Sequence, residues 1–233
     1  MTSPTSQPIL SGLIPPGYSN AESIYMTKRS LICRALREKD KQSVVLKTLN
    51  SDFPTPSEIA RLQHEYQLVK DLQIPGVIRV YDLLQYGGHA SIVFEDFGAI
   101  SLADLIQQGI SDLFILLELA LQVVQILGTI HGRQVIHKDI NPRNILWNAE
   151  TKEVKLIDFG ISTKLSREEQ SSDVANMLEG SLPYISPEQA GRMNREVDYR
   201  TDYDSLGATL YEVFTGKTPF DAQDPMEIGR AHV

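Results

Sequence analysis

The sequence predicts an α+β fold of two lobes, in which a small antiparallel β lobe with one helix precedes a larger, mainly helical lobe. Runs of alternating apolar residues between turn signals indicate that strands dominate up to about residue 97, with one helical segment around residue 65. From residue 102 onwards, apolar residues recur mostly at helical spacing. Of the 233 residues 42% are hydrophobic, so each lobe can have a core of its own.

The first lobe is predicted to cover residues 16–97, after a polar, proline-punctuated flexible tail formed by residues 1–15. Residues 43–49 alternate as in a half-buried strand. Residues 56–69 place apolar side chains at helical spacing, and residues 91–97 continue an apolar strand into a short linker.

The second lobe is predicted to cover residues 98–226. Its longest apolar segment, residues 113–130, contains a glutamate and two glutamines, and this predicts a buried amphipathic helix instead of a membrane span. Short strands at residues 145–147 and 154–157 are predicted to form a hairpin.

Two motifs carry the chemistry of the chain. The first is His137-Lys-Asp-Ile-Asn-Pro-Arg-Asn144, and Asp158-Phe159-Gly160 follows fourteen positions later. They supply a base-like carboxylate, an amide and a second carboxylate, which a phosphate-transfer site needs because its transition state is highly anionic. Asp-Phe-Gly alone is an ordinary strand-to-turn tripeptide, so the prediction depends on both motifs in this order.

This pattern resembles the catalytic loop and magnesium motif of eukaryotic-type Ser/Thr protein kinases. The resemblance extends from about Tyr18 to Pro225 and implies use of ATP and Mg²⁺. It implies that Asp139 accepts the proton of the attacking hydroxyl, while Asn144 and Asp158 hold the metal.

A lysine and a glutamate of the first lobe extend the resemblance. Lys47 ends an alternating strand as the phosphate-binding lysine of the family does, and Glu65 follows eighteen residues later on the predicted helix. The resemblance implies that Glu65 pairs with Lys47 and holds it against the nucleotide phosphates.

The resemblance also implies a set of residues that contact the nucleotide, with Phe94 as gatekeeper of the adenine site. These are Ile24, Ile32, Val45, Lys47, Phe94, Glu95, Phe97, Leu146 and Asp158.

Downstream, Ser186-Pro187-Glu188 resembles the end of the family's activation segment, and Ser181 takes the position of a threonine that faces the catalytic aspartate. Asp202 resembles the aspartate that braces the backbone of the catalytic loop. His137 is predicted to be structural and to pack beneath Phe159.

The nucleotide loop departs from the family, because its three glycine positions hold Tyr25, Thr27 and Ser30. Glycine lets backbone N–H groups approach phosphate without a side chain in the way, so the departure puts nucleotide positioning in question.

The catalytic loop departs at two positions. Asn141 replaces the lysine that Ser/Thr kinases place two residues after the aspartate, and Arg143 is expected to supply the missing positive charge. Lys138 replaces an arginine, so a point charge stands where the family has a fork of donors.

The helices that complete the large lobe in the family are not found after Phe220, so this lobe is predicted to be incomplete. Residues 227–233 can be encoded by a common short-read sequencing adapter, and we hypothesise that they are an artefact, with a natural tail as the alternative. The segment 184–202 resembles the N-terminal kinase domain of cyanobacterial-type hybrid proteins, which implies further signalling modules: an ATPase, a GAF sensor and a histidine kinase.

The composition favours a cytoplasmic domain without membrane insertion. The formal net charge of −8 argues against a nucleic-acid surface, where a basic stripe is expected. The single cysteine, Cys33, cannot form an internal disulfide, which fits a reducing compartment.

Three functions follow from these observations. The favoured one is an ATP- and magnesium-dependent kinase that acts on serine or threonine of a protein substrate. The second is a pseudokinase interaction module, which the missing glycines and Asn141 favour. The third is phosphate transfer to a small molecule, against which the Ser-Pro-Glu segment and Asp202 argue.

Overall fold

The structure is a computed structural model that describes residues 12–51, 53–109, 112–164, 182–190 and 196–219. Outside these ranges lie Ser181, the last residues of the predicted second lobe from 220 to 226, and the predicted artefact at 227–233.

The chain forms two compact units, one of residues 1–73 and 78–97 and the other of residues 74–77 and 98–233. The sequence predicts a division after Phe97; in the structure residues 78–97 belong to the first unit, and residues 74–77 belong to the second. The physical reason is a backbone bond, because the N–H of Leu156 donates to the carbonyl oxygen of Gly76 at 2.7 Å.

The first unit is built on one antiparallel sheet of five strands, with the order β1-β2-β3-β5-β4. The strands are β1 Tyr18–Met26, β2 Ser30–Arg37, β3 Gln42–Leu49, β4 Val80–Tyr86 and β5 His89–Glu95. This sheet and its single helix confirm the small antiparallel β lobe that the sequence predicts.

One face of this sheet forms the core of the first unit. The core consists of apolar side chains from β2, β3 and β5 together with one residue that precedes β1: Leu31, Cys33, Ala35, Val44, Leu46, Val93 and Leu13. Leu13 differs from the predicted tail of residues 1–15, because its side chain is buried and its carbonyl oxygen accepts the Tyr86 hydroxyl at 2.6 Å.

Helix α1 covers Pro56–Leu72. It begins with a capping box in which Thr55 and Glu58 each accept a backbone N–H of the other, and Pro56 occupies the first turn, where its missing N–H costs nothing. Its buried face includes Leu62, Leu68 and the carboxylate-bearing Glu65.

The second unit contains helices α2 Leu102–Gln107, α3 Leu113–Gly132 and α4 Arg200–Thr215. Its strands are β6 Ile100–Ser101, β7 Val135–Ile136, β8 Ile145–Trp147, β9 Val154–Leu156 and β10 Thr163–Lys164, which pair as β6-β8-β9 and β7-β10. The hairpin β8–β9 is the one that the sequence predicts, and a short 3₁₀ turn covers Leu182–Tyr184.

Helix α3 packs against β7, β9 and α4 through a buried side that includes Leu119, Val123 and Leu127. Gly76 contacts this side so closely that a Cβ atom there would lie 2.2 Å from Cγ1 of Ile126. By length and composition alone, α3 could cross a membrane, with a mean hydropathy of 2.1. Contrary to the prediction of a buried helix, its other side exposes apolar residues such as Phe114 and Leu121.

Candidate active site

In the first unit, Lys47 of β3 and Glu65 of α1 form an ion pair. The ammonium group of Lys47 donates to both carboxylate oxygens of Glu65, at 2.9 and 2.8 Å. The Glu65 side chain is 3% exposed, and a carboxylate this deeply buried needs such a partner. The contact that the sequence predicts between these residues is therefore present.

Four of the predicted nucleotide contacts share the face of the sheet opposite the core. Directly paired residues of antiparallel strands point to the same side, and Ile32 pairs with Lys47 while Val45 pairs with Phe94. Ile24 differs from these four, because the register of β1 against β2 shifts between Ser23 and Tyr25. Ile24 is the additional residue of β1 at this shift, without a directly paired residue in β2, and its side chain is half exposed.

The turn between β1 and β2 replaces the glycine-rich loop with a different hydrogen-bonding pattern. Oγ1 of Thr27 accepts the backbone N–H groups of Arg29 at 3.1 Å and Ser30 at 2.9 Å. The N–H of Thr27 donates to the carbonyl oxygen of Ser30 at 2.8 Å. These three donors are satisfied within the turn, so they are already engaged before any phosphate arrives.

At the end of β5, Glu95 is tied to Arg79. The backbone N–H of Glu95 donates to the carbonyl oxygen of Arg79 at 3.0 Å, and Oε1 of Glu95 accepts the N–H of Arg79 at 2.8 Å. Phe97 lies two residues on, at the end of the first unit.

In the second unit, the carboxylate of Asp139 is held by two amides. Nδ2 of Asn141 donates to Oδ1 at 2.9 Å, and Nδ2 of Asn144 donates to Oδ2 at 2.8 Å. Both asparagines are buried, and the N–H of Asn144 donates to the carbonyl oxygen of Asn141 at 3.0 Å. The loop therefore fixes the orientation of the carboxylate before a substrate binds.

Asp202 of α4 braces this loop, as the sequence predicts. Its oxygens accept the backbone N–H of His137 at 2.9 Å and of Lys138 at 2.7 Å, and Oδ2 also bonds Nε2 of His131 at 2.7 Å. Asp202 is fully buried, so these donors compensate for the lost solvation of its charge.

The aspartate of the second motif lies next to a packed aromatic pair. The rings of His137 and Phe159 have centroids 4.6 Å apart, which is the predicted contact. Asp158 adopts a left-handed backbone with φ of 64°, and the N–H of Gly160 donates to its Oδ1 at 3.4 Å. Such a backbone in a non-glycine residue is strained and is found preferentially at functional sites.

Asn144 and Asp158 have the donor chemistry that Mg²⁺ prefers. The amide nitrogen of Asn144 is used by Asp139, while its amide oxygen accepts no hydrogen bond from the residues that the structure describes. That oxygen and the carboxylate of Asp158 are hard oxygen ligands. The residues present therefore fit a magnesium ion.

The side chain of Arg143 is exposed, and its charge acts on Tyr184. Burial and the neighbouring Glu212 carboxylate, which accepts the Tyr184 hydroxyl, raise the pKa of Tyr184, and the Arg143 charge opposes this shift. Burial lowers the pKa of Lys138, which directly precedes Asp139 in the sequence, and the Asp202 carboxylate partly offsets this shift. Two cationic residues, Lys138 and Arg143, thus lie near Asp139 in the sequence, and burial removes much of the water around the ammonium group of Lys138.

A buried hydrogen-bond network joins the segment 182–190 to the loop and to α4. Thr201 donates to Oε1 of Glu188 at 2.7 Å, and Ser186 and Thr201 share a bond of 2.9 Å. Nε2 of Gln189 donates to the carbonyl oxygen of Lys138 at 2.8 Å. Glu188 accordingly has a hydroxyl partner inside the fold.

The sequence did not predict the contacts of Asn141, Gln189 and Thr201. The sequence marks Asn141 only by the charge that it lacks, although an asparagine side-chain oxygen can accept the N–H two residues on in an Asx turn, as it does here from Arg143, which could have indicated a local role. Gln189 and Thr201 act across long sequence separations, and no local pattern marks them.

The chain matches a known protein family and resembles several curated proteins. A family model described as the protein kinase domain matches residues 24–233. The chain is 33% identical over 208 residues to the probable serine/threonine-protein kinase CPE1738 of Clostridium perfringens, which covers 88% of this chain and 29% of that protein.

Two further curated relatives have similar names. The chain is 33% identical over 198 residues to serine/threonine-protein kinase PknB of Mycobacterium tuberculosis, with 82% of this chain and 31% of that protein covered. It is 32% identical over 196 residues to serine/threonine-protein kinase pkn2 of Myxococcus xanthus, with 82% and 23% covered. The chain thus spans less than a third of the length of these relatives.

Proposed function

The chain belongs to the protein kinase family, and on that premise we propose that it transfers the γ-phosphate of ATP to serine or threonine hydroxyls of a protein substrate. The observation that carries the proposal is the Asp139 carboxylate, which is oriented by the amides of Asn141 and Asn144 on its two oxygens. A general base needs this kind of fixed orientation before it can receive a proton.

In the proposed reaction, the substrate hydroxyl donates a hydrogen bond to Asp139 and then its proton, while its oxygen forms a bond to the γ-phosphorus. The bond from that phosphorus to the bridging oxygen breaks, and ADP leaves. Asn144 and Asp158 would hold a magnesium ion, which would supply neutralisation of the phosphate charge. Lys47, held by Glu65, supplies a further positive charge to the phosphates.

We also propose that Arg143 supplies the charge that a lysine in place of Asn141 would provide. Its guanidinium is permanently charged, and its backbone N–H donates to Oδ1 of Asn141 at 2.9 Å, which fixes its place in the loop.

The test is transfer of the γ-phosphate from Mg-ATP to the chain itself and to a generic protein substrate, with Asp139→Asn as the matched control. This substitution preserves shape but removes the base. We expect phosphoserine or phosphothreonine in the wild type and a loss of at least about 100-fold in the variant. Equal transfer by both chains would overturn the proposal.

A second candidate function is nucleotide or protein binding without phosphate transfer. It is favoured by the Thr27 turn, whose backbone donors are already engaged. A wild-type chain that binds Mg-ATP, with a normal melting transition, but transfers no phosphate would select this function over the first.

We further propose a cytoplasmic location and a place among other signalling modules in a longer protein. ATP and reduced Cys33 are compatible with that compartment. Fractionation of cells that express the full-length protein tests the location.

A further inference from the structure

We propose that Gln189 is a positioning residue for phosphate transfer: its side-chain amide fixes the peptide group between Lys138 and Asp139 and thereby orients the Asp139 carboxylate. This inference rests on the proposed function, because it concerns the same aspartate.

The first step of the argument is the strained backbone of Lys138. Its φ is 68°, in the left-handed region where the side chain of a non-glycine residue is strained. Such a conformation persists when the surroundings hold it from several sides. Here the N–H of Lys138 donates to Oδ1 of Asp202 at 2.7 Å, and its carbonyl oxygen accepts Nε2 of Gln189 at 2.8 Å.

The second step is the planarity of the peptide bond. The carbonyl of Lys138 and the N–H of Asp139 belong to one rigid plane. The opposite edge of this plane is held too, because the N–H of Asp139 donates to Nδ1 of His137 at 3.3 Å. Release of the carbonyl would allow the plane to rotate and would move the Asp139 side chain relative to its two amide donors.

The third step is the orientation of the Gln189 amide itself. Gln189 is 6% exposed, and its Oε1 accepts the N–H of Ser186 at 3.4 Å and the Ser186 hydroxyl at 3.1 Å. The amide nitrogen of Gln189 therefore points away from Ser186 and towards the carbonyl oxygen of Lys138. This amide links the segment 182–190 to the catalytic loop.

The test variant is Gln189→Glu, which keeps the shape and the acceptor but removes the N–H donor. We expect kcat for phosphate transfer to fall about tenfold while the KM for ATP stays within about twofold, because orientation and not nucleotide binding is lost. A merely structural role would lower the melting temperature without this separation of kcat from KM.

The matched control is Gln122→Glu. Gln122 makes the same kind of bridge in the same unit, donating to the carbonyl oxygen of Lys152 at 2.8 Å and accepting the N–H of Val154 at 3.0 Å, but it does not bond the catalytic loop. We expect wild-type kcat in this variant. If Gln189→Glu fails to fold because it buries a charge, Gln189→Leu removes the donor without one.

Hydrogen exchange of the peptide spanning residues 137–144 provides a readout that needs no activity. We expect exchange at least about tenfold faster in Gln189→Glu than in Gln122→Glu. If the wild type transfers no phosphate but exchange is still faster in Gln189→Glu, the proposed function would be contradicted. The inference that Gln189 positions the loop would still hold. Wild-type kcat in both Gln189 variants, or equal exchange in the glutamate variants, would overturn the inference.

Discussion

At the scale of single residues, Asn141 orients the Asp139 carboxylate, although it lacks the positive charge of a lysine. Its amide holds one oxygen of the Asp139 carboxylate, so we expect Asn141→Ala to lower kcat about tenfold. Asn141→Asp should lower it further and shift the acid limb of the kcat/KM profile to higher pH, because two carboxylates in contact resist joint ionisation. Steady-state kinetics between about pH 5 and 9 measures both effects.

The comparison of these two variants separates the donor from the shape of the loop. Asn141→Asp keeps the oxygen that accepts the N–H of Arg143, so the turn is preserved while the donor is lost. An unchanged acid limb in Asn141→Asp would contradict the contact between Asn141 and Asp139.

Cys33 supplies a prediction about reactivity. Burial raises the pKa of its thiol to about 11. At pH 8 about one thiol in a thousand is then ionised, against about one in four in an unfolded chain, and the thiolate is the reactive form. We expect labelling of the native chain by a disulfide reagent to be at least about 100-fold slower than labelling in urea.

The same shift has a consequence for stability. Because folding raises the pKa of Cys33, the native state holds the proton more tightly than the unfolded state. The associated stability is present below about pH 8.5 and is lost as the pH rises towards 11.

Rapid labelling of a chain that circular dichroism shows to be folded would contradict the burial of Cys33.

Motifs predicted some residues of the site, and tertiary contacts decide the others. Asp139 could be located because it lies in a motif of fixed spacing, and the pair of Lys47 with Glu65 because the two residues follow one another at the spacing that the family pattern gives. The bond between Gln189 and Lys138 could not be predicted, because it joins segments 51 residues apart.

At the scale of elements, the turn between β1 and β2 is stabilised by a side chain instead of by glycine. Thr27→Val keeps the size and branching of the side chain but removes the oxygen that accepts two backbone N–H groups. We expect a loss of about 1–2 kcal/mol in the free energy of unfolding, measured with urea. The Kd for Mg-ATP should change less than about threefold, because the turn donors are not used for phosphate.

Thr48→Val is a useful comparison for this experiment, since it also removes a threonine hydroxyl from the first unit, here one bonded to Ser91 in the core. Both variants should be destabilised, and neither should lose nucleotide binding. A tenfold loss of ATP affinity in Thr27→Val alone would mean that the turn does contact the nucleotide.

The longer elements were predictable because each buries one periodic face, as in β3 and α1. The two-residue strands β6 and β10 were not, because pairing over so few residues depends on partners elsewhere in the chain. The inclusion of Leu13 in the core was missed for a related reason, since two apolar residues in a proline-rich segment have no period.

At the scale of the whole molecule, the exposed side of α3 is expected to govern how the 233-residue chain behaves in solution. Its apolar side chains have exposed fractions of 45% to 80% and follow a spacing of three and four residues: Phe114, Leu117, Leu121 and Val124. Contiguous apolar surface of this kind favours association. We therefore expect the average sedimentation coefficient to rise between about 1 and 50 μM protein.

Substitutions on the two sides of α3 test this expectation. Leu117→Gln combined with Leu121→Gln should reduce association and leave the melting temperature within a few degrees, since both residues are more than half exposed. Leu119→Gln, on the buried side at 1% exposure, should instead destabilise the chain by about 2–5 kcal/mol. A wild type that stays monomeric over the whole concentration range would contradict the role of this surface, because the apolar side of α3 would then be tolerated in water.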